Sequence, residues 1–120
     1  MLGKPHRMRS SEDFRATVRY GVRAGHRTVV VHARMSSSPD PVRVGFVVSK
    51  AVGNAVVRNS VKRRLRHLVS PQLAESPTGS TFVVRALPPA AMSAEDLSQD
   101  LPKAWSRAVA RLNREMEGAS

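Results

Sequence analysis

Two periods organise the apolar positions of this chain. Valine-rich runs at Thr28 to Arg34, Arg43 to Lys50 and Thr81 to Ala86 have the length and composition of strands, with Val44, Phe46 and Val48 alternating inward. Elsewhere apolar residues recur every three or four positions, the spacing of a helix with one buried face. Phe14 and Val18 mark a short first helix, capped by Ser10 or Ser11, with Glu12 and Asp13 in its first turn and Gly21 at its end. Val57, Val61, Leu65 and Leu68 mark a second, capped at Asn54 and stopped before Pro71. Leu97, Leu101, Trp105, Ala108 and Leu112 mark a third that begins at Ser93. Pro102 lies within that third stretch and should kink it or divide it in two.

Breakers separate these elements. The tract Ser36-Ser37-Ser38-Pro39-Asp40-Pro41 parts two strands by a short loop, which predicts an antiparallel hairpin. The predicted order is helix, strand, strand, helix, strand, helix. The pattern leaves room for one further short strand, for instance between Ser49 and Asn54, and does not fix it. Such a chain makes a single α/β (α+β) two-layer sandwich spanning residues 1–120. Residues 1–9 are basic and are expected to be flexible, or to order on a partner.

Charge changes the picture most at the second helix. The net charge is +11, but residues 1–70 carry 15 Lys and Arg against 3 Asp and Glu, while residues 71–120 carry 5 against 6. Arg58, Lys62 and Arg66 form a row at i, i+4 and i+8, with Asn59 and Arg63 beside it and Arg64 apart, near the other edge of the apolar stripe. No acidic residue lies between Val42 and Ala74. A solvated helix interleaves acids, so these cations repel by a few tenths of a kcal/mol per pair until a polyanion offsets the cost. Nucleic acid is the partner this pattern implies.

Candidate chemistry narrows the field further. Gly53-Asn54 opens the basic helix, and its free N–H groups could seat a phosphate flanked by Lys50 and Arg58; an ordinary capped turn is the equal alternative. His32 is either a stacking surface for a base or a half-exposed strand position. Phe14 suits the core better than a base platform, and Trp105 belongs to the buried stripe. His6, His26, His32 and His67 have no ligand spacing, and the chain has no cysteine, so thiolate zinc sites and disulfides are excluded. The basic half offers only Glu12, Asp13 and Asp40 as carboxylates, too few for a two-metal nuclease. No apolar run approaches the ~20 residues that span a bilayer, which leaves a cytoplasmic protein as the default and a membrane partner unexpected.

The run from Arg43 to Lys50 (RVGFVVSK), followed by Val52-Gly53-Asn54-Ala55, Arg58-Asn59, Lys62-Arg63 and Arg66, resembles the signature of the bacterial ribonuclease P protein component. Ser11 to Phe14 and Phe82 to Ala86 extend the resemblance over nearly the whole chain. It implies an accessory subunit of an endoribonuclease whose catalytic RNA removes the 5′ leader of precursor tRNA with Mg2+, held mainly by that RNA. It implies that Lys50, Asn54, Arg58, Asn59, Lys62, Arg63 and Arg66 contact the catalytic RNA, and that Arg9, Phe14 and His32 wall a cleft for the leader. No catalytic residue, no metal held by the protein alone and no DNA partner are implied. A four-stranded sheet with a left-handed strand–helix–strand crossover is implied too, against the general right-handed preference.

Three departures from the family pattern bear on that reading. Ser60 stands where Arg is usual, Val18 replaces a second aromatic, and His32 replaces a tyrosine. The resemblance therefore implies a leader cleft that relies less on stacking, worth about 1–3 kcal/mol per base, and more on charge. A structural RNA-binding protein of the ribosome and an independent nuclease are the rival readings.

Overall fold

The computed structural model describes residues 3–8, 10–36 and 40–118. Four strands, β1 (Val22–Gly25), β2 (Val29–Met35), β3 (Arg43–Val47) and β4 (Ser80–Ala86), form one sheet in the order β1-β2-β4-β3. Three helices accompany it: α1 (Ser11–Tyr20), α2 (Ala55–Val69) and α3 (Ala94–Gly118). The expected four-stranded α+β architecture is present.

The pairing differs from the expected hairpin. β2 and β3 run in opposite directions, as hairpin strands do, but β4 is inserted between them, antiparallel to β2 and parallel to β3. Ser80 to Val84 are all buried, and a strand buried on both faces belongs in the middle of a sheet. The loop after β2 therefore straddles the start of β4. Ser36 N–H donates to the Gly79 carbonyl (2.9 Å), and Gly79 N–H donates to the Asp40 carbonyl (2.8 Å). Gly79 makes this turn at φ 86°, a left-handed conformation that costs glycine little.

The fourth strand also lies elsewhere. Ser49 to Val52 forms a turn, closed by Val52 N–H on the Ser49 carbonyl. The missing strand is β1, directly after α1, paired with β2 from Val22 opposite Ala33 to Gly25 opposite Val30. Only four residues long and bounded by Gly21 and Gly25, it shows no alternation to read. β3, α2 and β4 make the crossover unit, two parallel neighbours joined through a helix.

One face of the sheet carries the core. Val29, Val31 and Ala33 of β2 and Phe82, Val84 and Ala86 of β4 pack with Leu97, Leu101, Trp105 and Leu112 of α3 and with Val61, Leu65 and Val69 of α2. The Phe82 and Trp105 rings stack with centroids 3.9 Å apart, and the Trp105 indole N–H donates to Ser76 Oγ (2.9 Å). α3 is not divided at Pro102. Leu97, Leu101, Ala104 and Trp105 are buried on both sides of it, and this packing outweighs the one backbone bond that proline forfeits.

α1 crosses the opposite face. Its buried residue is Thr17, whereas Phe14 and Val18, the expected contacts, are only half-buried. The Thr17 and Thr81 hydroxyls lie 2.7 Å apart, and Thr17 Oγ1 also donates to the Asp13 carbonyl. Gly21 ends the helix against β2; a Cβ there would stand 2.4 Å from the Ala33 carbonyl oxygen.

Candidate nucleic-acid interface

α2 forms where the sequence placed it. Asn54 Oδ1 accepts from Val57 N–H (2.9 Å), which satisfies one of the free donors of the first turn. Val61, Leu65 and Val69 anchor the helix in the core, with Val57 and Leu68 partly buried beside them. The remaining faces carry Arg58, Lys62, Arg63, Arg64 and Arg66 with no acid. Asn59, Ser60 and Arg63 are exposed, while Arg58, Lys62 and Arg66 are half-buried along the flank. Arg58 Nε is buried without a hydrogen-bond partner, an orphaned donor within the cationic row. Lys50 is exposed in the turn that leads to the cap.

The structure adds residues to this face that sequence periodicity did not reveal. Lys62 and Arg66 border a groove of about 200 Å3 with Val44, Gly45 and Phe46 of β3 and with Arg7 and Met8 of the N-terminal segment. Residues 6–8 follow the outer edge of β3. His6 Nδ1 lies 2.7 Å from the Val42 carbonyl oxygen, and Met8 N–H donates to the Val44 carbonyl (3.1 Å). Arg7 and Val44 form a parallel bridge. The only sequence signal was the basic character of residues 1–9, which said nothing about a strand edge 36 residues away.

Two of the three residues expected to wall a leader cleft, Phe14 and His32, are described. Phe14 borders an open groove with Met8, Ser10, Ser11 and Arg15. His32 lies on the same face of the sheet as α1 but is 6% exposed, with Nδ1 lacking a hydrogen-bond partner. His32 is thus more covered than either expectation for it, a stacking surface or a half-exposed strand position. Burial lowers the His32 pKa below its ordinary value, and the neighbouring Arg85 and Arg23 charges lower it further. Arg9 lies outside the described residues. Among the described residues no three His, Asp or Glu side chains converge as a metal-binding group. No described helix is long and apolar enough to cross a membrane.

Comparison with known proteins agrees with this geometry. The family model for ribonuclease P matches residues 2–109. The ribonuclease P protein component of Kocuria rhizophila is 55% identical over 112 residues, covering 92% of this chain and 98% of that protein. The corresponding protein of a Nocardioides species is 49% identical, covering 98% and 100%. The ribonuclease P protein structure from Staphylococcus aureus superposes with a TM-score of 0.77 at 28% identity, over 88% of this chain and 96% of that one. Matched along nearly its whole length in sequence and in fold, the chain belongs to the ribonuclease P protein family.

Proposed function

We propose that this chain is the protein subunit of ribonuclease P, and that it binds the catalytic RNA through α2 and steadies the 5′ leader of precursor tRNA beside α1. The observation that carries this reading is the acid-free cationic face of a helix whose other face is locked in the core. Five cations held on a fixed helix neutralise phosphates without moving, which lowers the repulsion between two RNAs brought side by side.

The individual roles follow from position. Arg63 and Asn59, fully outward, suit direct contact with phosphate and ribose, and planar guanidinium groups can grip a phosphate through two N–H donors. Lys50 lies in the turn before the helix, Asn54 caps it and Arg58 is in its first turns, where the backbone dipole adds to the attraction for an anion. Phe14 and Arg15 offer a ring and a charge to a single strand on the other side. Mg2+ is bound by the RNA in this reading, and the work takes place in the cytoplasm. Family membership disfavours a ribosomal role.

The test is cleavage of precursor tRNA by the catalytic RNA across a Mg2+ and salt titration, with and without the protein. The expected outcome is a lower Mg2+ requirement with protein present and no cleavage by protein alone. An identical ionic requirement in both arms would refute the reading.

A further inference from the structure

Residues 6–8 occupy a position that the RNA-binding role of α2 does not by itself require. Two hydrogen bonds tie the segment to the β3 edge on either side of Arg7: the His6 ring, at the end of a 3-10 turn (Lys4–His6), on the Val42 carbonyl, and Met8 N–H on the Val44 carbonyl. Arg7, between them, is exposed and shares the groove with Lys62 and Arg66. The three cations come from two elements more than fifty residues apart in sequence. Among the described residues none of the three has an ion-pair partner, and no acidic side chain lines the groove. Its floor is Val44, Gly45 and Phe46, apolar atoms and backbone suited to a ribose or a base edge.

We propose that the N-terminal segment and α2 form a two-sided phosphodiester clamp, in which Arg7 closes on a backbone phosphate of the catalytic RNA from the side opposite Lys62 and Arg66. A one-sided face attracts RNA in any register. A groove with cations on both walls fixes where the strand lies. Met8 extends the arrangement, because it also borders the open groove beside Phe14. At Gly45, a Cβ would lie 3.2 Å from Met8 Sδ and 3.3 Å from Phe14 Cδ2, so the absent side chain lets both residues settle on β3. The seating of Met8 on β3 thereby links the Arg7 groove to the groove beside Phe14.

This inference rests on α2 being the face for the catalytic RNA, and the test separates the two. Affinity for the catalytic RNA alone is measured against salt for wild type, Arg7→Ala, Arg7→Lys, Lys62→Ala, Arg63→Ala and the double variant Arg7→Ala with Lys62→Ala. Arg7→Ala is expected to weaken binding about fivefold near 0.15 M salt and to reduce the slope of log affinity against log salt by about 0.7–0.9. Arg7→Lys should keep the slope, and the double variant should lose less than the product of the single losses, because both cations act on one phosphate. If Arg63→Ala weakens binding while Arg7→Ala changes neither affinity nor slope, the clamp is wrong and the α2 reading stands. If neither variant has an effect, the α2 reading falls as well. A loss with Arg7→Ala that appears only when leader-bearing precursor tRNA is present would place the leader phosphate in the groove and overturn the assignment to the catalytic RNA.

Discussion

α2 and α3 pack into the same core but differ in what they do with their charges. α3 interleaves Lys103, Arg107, Arg111 and Arg114 with Glu95, Asp96, Asp100, Glu115 and Glu117, and it applies several of them to its own fold. Asp100 accepts hydrogen bonds from both the backbone N–H and the hydroxyl of Thr28, and Arg111 donates to the Arg23 carbonyl. α2 has five cations, no acid, and no side-chain ion pair among the described residues. Two amphipathic helices of similar hydrophobic design therefore serve opposite ends. One completes the domain, and the other holds an electrostatic cost that an anionic partner would remove.

That contrast can be broken from either side. The largest effect is expected from Trp105→Ala, which removes the ring stacked on Phe82 and leaves Ser76 without its indole donor. It should cost about 3–5 kcal/mol of stability, read by denaturant unfolding, while the fraction that remains folded binds RNA as wild type does. A parallel loss of affinity in that folded fraction would show that the two helices are not separable.

Alanine at Arg58, Lys62 and Arg63 together is the complementary test. It should weaken RNA binding about a hundredfold near 0.15 M salt, roughly 2.7 kcal/mol, with the unfolding midpoint unchanged or slightly raised as repulsion is relieved. The matched α3 control, Lys103→Ala with Arg107→Ala, should shift affinity by less than about twofold. Equal losses from the two helices would reduce the α2 face to non-specific charge.

The smallest effect concerns the sheet face under α1. The pKa of His32 is lowered in the folded chain, so below its ordinary value near 6.5 the unfolded chain binds a proton that the folded one resists. Stability should fall as pH drops from about 6.5 toward the lowered folded value, and be insensitive to this group above it. His32→Gln should flatten that part of the stability profile. An unchanged slope would mean that the ring is not held neutral by burial and by Arg85 and Arg23.

What the sequence determined by itself was local. Asn54 as a cap, the stripe from Val57 to Leu68, the acid-free row and the buried Trp105 all follow from spacing within one element, where side-chain periodicity and capping chemistry are sufficient. The motif from Arg43 to Arg66 carried the family for the same reason, being one continuous run. Non-local decisions belonged to the tertiary structure. That β4 would enter between β2 and β3 depended on burying Ser80 to Val84 on both faces. That His32 would be covered, and that Arg7 would reach Lys62 and Arg66, depended on α1 and residues 6–8 choosing a face and an edge made by distant strands. A strand's composition says that it will be in a sheet; only competition among all the apolar faces for burial decides its neighbours.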